Sequence, residues 1–180
     1  MIYVFLGQGF EEIEALTPVD LLRRAELPVQ TVGIGKREIT GSHGITVRCD
    51  LVDDDISPEG LDMIVLPGGM PGTLSLEKSE AVQTAVDGCV QNDKWIGAIC
   101  AAPSILGHKG LLAGRRATCF PGYEEQLAGA VLSEEPVCVD GHIITAKGPG
   151  VSVEFGLKLV EVLTSRRRAQ ILKDSLQCGE

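Results

Sequence analysis

Ile2-Tyr3-Val4-Phe5-Leu6 is apolar at every position and runs into Gly7-Gln8-Gly9. A strand with one wet face alternates apolar and polar side chains, so an unbroken apolar run describes a strand covered on both faces, the habit of parallel sheets flanked by helices. The pattern returns downstream. Val29 to Gly33, Asp62 to Leu66 and Trp95 to Ile99 read as further short strands, the second a buried one, each meeting glycine, proline or cysteine at its end. Between them the spacing turns helical: Glu11 to Ala25, then Ser79 to Asn92 with Val82, Ala85, Val86 and Cys89 at three- and four-residue steps. After Gly148-Pro149-Gly150 comes Val153, Leu157, Val160 and Leu163, and a last helix is expected from Ser165 to Leu176. This alternation predicts an α/β fold with a mainly parallel central sheet and helices on both faces.

Smaller features fill the gaps. Thr17-Pro18 reads either as the cap and first-turn proline of a main helix or as a kink within one helix. Ile39 to Arg48 predicts a hairpin turning on Ser42-His43-Gly44, and Val137 to Val139 with His142 to Ala146 predicts another across Asp140-Gly141. Ala101 to Leu106 starts a helix that stops near Gly107, Ala117 to Cys119 reads as a short strand, and Pro121-Gly122 opens a small helix. No linker, repeat or low-complexity tract interrupts the chain, so a single domain over residues 1–180 is expected.

Composition narrows the function. The 180 residues are 44% hydrophobic and 23% charged, in the globular range, and contain no run of 18 uncharged apolar residues. No membrane association is expected. Acidic residues follow the N-terminal apolar run too closely for a signal peptide, which predicts a cytoplasmic protein. A net charge of -9 argues against nucleic acid as a primary partner, because phosphate binding needs Lys and Arg. Six cysteines occur without a C-x-x-C pair or zinc-like clustering with histidine, so neither a metal nor a disulfide framework is expected. Gly7-Gln8-Gly9 follows a strand, but Glu12 stands where a dinucleotide fingerprint has its third glycine and no acid ends the second strand, so no nucleotide cofactor is expected either.

Ligands of open parallel sheets bind beyond the carboxyl ends of the strands. Four loops qualify: Gly7 to Glu14, Pro67 to Gly72, Cys100 to Pro103 and Gly148 to Gly150. In Ala98-Ile99-Cys100-Ala101-Ala102-Pro103 a cysteine sits at an abrupt strand-to-helix turn. That turn presents a nucleophile, and the helix start is expected to lower the thiol's pKa. The other five cysteines read as small core residues. Pro67-Gly68-Gly69 can aim backbone N–H groups inward as an oxyanion hole, with the Ala101 amide as partner, although a plain loop has the same look. Glu14, among Ile13, Ala15 and Leu16, is open to two readings, an inward carboxyl or a solvated helix-start carboxylate; Glu11 and Glu12 read as solvated. His43, His108 and His142 fall at a turn, after a helix stop and at a strand start, none of them placed for a triad.

Five motifs in order carry a family resemblance: Glu11-Glu12-Ile13-Glu14 with Pro18-Val19-Asp20, Gly41-Ser42-His43-Gly44, Leu66-Pro67-Gly68-Gly69, Ala98-Ile99-Cys100-Ala101-Ala102-Pro103, and Lys147-Gly148-Pro149-Gly150 before Glu154-Phe155. Together they resemble the ThiJ/PfpI superfamily, in the branch of the parkinsonism-associated deglycase. The resemblance implies a flavodoxin-like sandwich, usually a homodimer, without cofactor. It implies Cys100 as nucleophile, Glu14 as the carboxyl on its thiol, and Gly69 with Ala101, beside Gly68, as oxyanion and substrate contacts. The implied activity is conversion of small reactive aldehydes such as methylglyoxal to hydroxy acids, or deglycation of amino groups. Two rival roles accompany it: an oxidation sensor or redox chaperone working through Cys100, and another hydrolase or hydratase on the same scaffold. Ala101 replaces the histidine of the protease-like branch, so peptidase activity is not expected. Phe120 stands where the human-type branch has histidine, leaving proton transfer to Glu14 or water.

Overall fold

The computed structural model describes residues 1–178. In chain order the strands and helices are β1 (Ile2–Leu6), α1 (Glu12–Arg24), β2 (Val29–Gly33), β3 (Glu38–Thr40), β4 (Thr46–Arg48), β5 (Leu51–Val52), β6 (Met63–Leu66), α2 (Gly72–Lys78), α3 (Glu80–Gln91) and β7 (Trp95–Ile99). They continue with α4 (Pro103–His108), β8 (Arg116–Ala117), β9 (Val131–Leu132), β10 (Val137–Asp140), β11 (Ile143–Ala146), α5 (Ser152–Leu163) and α6 (Arg166–Ser175).

Seven strands form the central sheet in the order β10-β11-β7-β6-β1-β2-β5, parallel throughout except for the β10–β11 hairpin. The first strand fills both faces as its sequence demands. Ile2, Val4 and Leu6 pack with Leu21, Leu22, Phe155, Leu159 and Leu172 from α1, α5 and α6. Tyr3 and Phe5 point the other way, onto Leu76, Val82, Val86 and Ile105 from α2, α3 and α4. The arrangement is the expected flavodoxin-like α/β sandwich.

Topology selects one end of this sheet. The chain leaves β1 for β2 on one side and later returns to β6 on the other, so the strand order reverses between β1 and β6. A crevice opens beyond the carboxyl ends at such a reversal. The register brings Leu66 beside Ala98 and Ile99 beside Ala146, which aligns the ends of β6, β7 and β11.

Of the two readings of Thr17-Pro18, the single helix holds: residues 12–24 form one helix with Pro18 inside it, capped by the Glu11 side chain, which accepts from the Glu14 N–H at 2.8 Å. Several other local expectations need correction. The helix after Cys100 begins at Pro103 and includes His108 as its last residue. Helix α2 arises where Pro71-Gly72 reads as loop. Of the expected 117–119 strand only Ala117 is extended, in a two-residue strand with Arg116 that pairs with Val131–Leu132, and a 3-10 turn at Glu124–Gln126 stands in for the helix expected at Pro121.

Candidate active site

Cys100 is the first residue past β7. Its N–H donates to the Ala146 carbonyl at 2.9 Å and its carbonyl accepts from the Phe120 N–H at 2.8 Å. Held between those bonds it adopts φ +66°, left-handed space that a side-chain-bearing residue enters at a cost of about 1 to 3 kcal/mol. The turn therefore forms as the abrupt bend its sequence suggests, and the thiol is half-buried.

Glu14 lies in the first turn of α1 with no exposed surface. Its Oε2 accepts the Gly68 N–H at 2.9 Å, and the carboxyl lies beside the Cys100 thiol, Oε2 and Sγ falling 2.6 and 3.1 Å from where a Gly68 Cβ would stand. Oε1 is buried with no partner. Gly68 makes this approach possible: a Cβ there would fall 2.6 Å from Glu14 Oε2 and 2.7 Å from Cys100 Cβ. The backbone N–H groups of the neighbouring Gly69 and Ala101 lie near enough to the Cys100 sulfur to favour its ionised form. Loops after β1, β6 and β7 thus bring Cys100, Glu14, Gly68, Gly69 and Ala101 to one place. The fourth loop closes on it through Gly148, where a Cβ would lie 4.0 Å from Glu14 Oε1.

The electrostatics depart from the expectation of a depressed thiol pKa. Burial pushes the Cys100 thiol up to about 12, and the Glu14 charge and hydrogen bond push the same way. The amides of Ala101 and Gly69 pull it down without cancelling that rise, and α4, only six residues long, does not reverse it. Burial likewise lifts Glu14 to about 7, against the hydrogen bonds from Cys100 and Gly68, with the Glu11 charge adding to the rise. Thiol and carboxyl act as one unit. Each holds its proton more tightly than it would in water, and a negative charge on one opposes ionisation of the other.

Glu12 was read as solvated and is buried, 6% exposed. Its carboxylate accepts from the His43 N–H at 2.9 Å and from His43 Nδ1 at 3.0 Å, clasping the β3–β4 turn to α1. No local pattern announces a contact between residues 31 apart. Among the described residues, Glu11, Glu12 and His43 place three potential metal-ligand atoms within 4.8 Å of one another. The other histidines are engaged elsewhere: His108 binds Glu77 and Gln126, and His142 packs edge-on against Trp95. A cavity of about 700 Å³ opens near the amino ends of β6 and β7, lined by Tyr3, Ile56, Leu61 and Ala85. It contains neither Cys100 nor Glu14, so the site is chosen by its chemistry and not by volume.

A sequence model of the DJ-1/PfpI family matches residues 1–162. The chain belongs to the DJ-1/PfpI family. Among curated proteins, Protein DJ-1 homolog B of Arabidopsis thaliana is 35% identical over 178 residues, covering 97% of this chain and 41% of that protein. This DJ-1/PfpI chain therefore spans less than half the length of that relative. It is 31% identical over 164 residues to Deglycase PYRAB04690 of Pyrococcus abyssi, covering 90% of this chain and 98% of that one. Oxidized Toxoplasma gondii DJ-1, a solved structure, superposes with a TM-score of 0.95 at 33% identity, covering 99% of this chain and 98% of that one. Among the described residues, no helix of this DJ-1/PfpI protein is long and apolar enough to cross a membrane.

Proposed function

We propose that the protein is a cofactor-free enzyme acting on small reactive carbonyls, turning 2-oxoaldehydes such as methylglyoxal into 2-hydroxy acids through Cys100. The observation that carries this reading is the buried Glu14 carboxyl set beside the Cys100 thiol at Gly68, with one oxygen left unpartnered. The deglycase name of the Pyrococcus relative supports the same substrate class, and glycated amino groups are its extension.

The ionised Glu14 carboxyl takes the thiol proton as the Cys100 sulfur adds to the aldehyde carbon; the carbonyl electron pair moves to oxygen, where the Gly69 and Ala101 N–H groups stabilise the developing charge, and the proton passes from Glu14 to that oxygen, giving a hemithioacetal and freeing the carboxylate. Glu14 removes the hydrogen from that carbon as a proton and returns it to the adjacent former ketone carbon, through an enediol. The hemithioacetal becomes a thioester without outside oxidant or reductant. Water then cleaves the thioester, releasing the hydroxy acid and restoring the thiol. Methylglyoxal loss and lactate formation should fall at least about a hundredfold in Cys100→Ser and Glu14→Ala, in line with loss of a nucleophile or a general base. Retained turnover in both variants overturns the mechanism.

A second reading, an oxidation sensor, draws on the donors around one sulfur: the oxygens of a Cys100 sulfinate would meet the Gly69 and Ala101 amides and a protonated Glu14. Under limiting peroxide, two oxygens appearing on Cys100 before other thiols react, with negligible carbonyl turnover, favours this role. A homodimer belongs to the proposal as well, and Ile13 and Ile45, exposed at 53% and 54% beside the Glu12–His43 clasp, offer it apolar surface.

A further inference from the structure

Phe120 reaches the Cys100–Glu14 pair from a segment that the proposed chemistry does not use. Thr118 anchors the segment by donating its N–H to Thr145 Oγ1 at 2.9 Å, and the Phe120 N–H donates to the Cys100 carbonyl at 2.8 Å. The backbone there is therefore tied to the ends of β7 and β11. The ring comes to rest on Gly148. A Cβ at Gly148 would meet two ring carbons at 3.0 and 3.5 Å and Glu14 Oε1 at 4.0 Å, so the ring and the unpartnered carboxyl oxygen are neighbours across one glycine.

Thr118 and Cys119 are 4% and 5% exposed, whereas Phe120 keeps 42% of its surface open. Met70, directly after the Gly69 donor, is also 42% exposed. One of these two exposed side chains borders the Cys100–Glu14 pair through Gly148 and the other follows the Gly69 donor; both are apolar, and neither offers a hydrogen-bond donor or a charge to a substrate's far end. A polar or charged substituent would exchange water for hydrocarbon there without compensation, while an alkyl or aryl group would lose only its hydration shell.

Resting on the carbonyl reading above, we propose that Phe120 is the apolar wall of the substrate site and makes the protein select 2-oxoaldehydes whose ketone carries an alkyl or aryl group over glyoxal and over oxoaldehydes with a charged substituent. The ring touches the substrate's substituent, and the reacting carbons stay with Cys100 and Glu14.

Two measurements on the full chain separate this from the reading beneath it. In the first, the rate at which Cys100 is alkylated by N-phenyliodoacetamide is divided by its rate with iodoacetamide, each corrected by a free thiol, using peptide mass. The native ratio should exceed unity by roughly tenfold, the worth of one aromatic contact. It should fall to near parity in Phe120→Ala and stay mostly intact in Phe120→Leu. In the second, kcat/KM for phenylglyoxal relative to glyoxal should drop by a similar factor in Phe120→Ala, chiefly through KM. A ratio that is the same in native protein and Phe120→Ala in both measurements overturns the wall. Failure of the native protein to turn over either oxoaldehyde overturns the substrate class together with the carbonyl reading, and the alkylation ratio still decides whether Phe120 is an apolar wall.

Discussion

A carboxyl with no exposed surface beside a thiol is the most consequential residue-level feature of this protein. Glu14, lifted to about 7 by burial, keeps a proton in the folded state that the unfolded chain gives up near pH 4.5. Between those values the native protein binds more protons than the unfolded one, so stability falls as pH rises across that window, by up to about 3 kcal/mol. Glu14→Gln keeps the shape and an acceptor for the Gly68 N–H but cannot ionise. Denaturant midpoints at pH 5 and pH 8 should therefore differ less in the variant than in the native protein, and an equal decline in both would remove Glu14 as the cause. Cys100 was legible in the sequence because a cysteine between Ile99 and Ala101-Ala102-Pro103 sits at a strand end by pattern alone. The direction of its pKa was not, since a helix start is local and visible whereas burial against Glu14 and Gly68 depends on loops that meet only in three dimensions. Glu14 itself was ambiguous from its neighbours and needed the motif order around it.

At the level of elements, the β3–β4 hairpin stands outside the central sheet and is tied to α1 through the Glu12–His43 bond. His43 is held above its ordinary pKa by that carboxylate. Burial pushes Glu12 up, but its hydrogen bonds from the His43 side chain and backbone, and from Ile45, hold it below its ordinary value. The pair therefore stabilises the fold between about pH 4.5 and 6.5, fading below as Glu12 is protonated and above as His43 loses its charge. Amide exchange of Gly41 and Ser42, whose N–H groups bond Ile45 and Phe10, should be faster at pH 8 than at pH 6 after correction for intrinsic rates, and His43→Gln should abolish that difference. The hairpin's strands were readable because Ser42-His43-Gly44 is a turn flanked by β-prone residues. Helix α2 was hidden by Pro71-Gly72, which mark a loop when read alone but start a helix once Leu76 has a core to enter. The pairing of β8 with β9 joins residues 116 and 131, a spacing that no alternation reports.

Over the whole molecule, the fold was the most legible part, because β1 states in five residues that both sheet faces are covered. Its position at the reversal of strand order then fixes which end carries the chemistry, and three separate loops supply Cys100, Glu14 and the amides between them. Convergence of that kind is invisible to periodicity, which explains why the substrate wall at Phe120 had to come from geometry. The central place of β1 also bears on how the protein is made. During synthesis β1 finds its partners only when Val29 and then Met63 have followed, and the Cys100 bend is pinned only once Ala146 emerges. Nascent chains lacking β11 hold the Cys100 bend without one of the two backbone bonds that restrain it, so the meeting of Cys100 with its neighbours is completed late in synthesis.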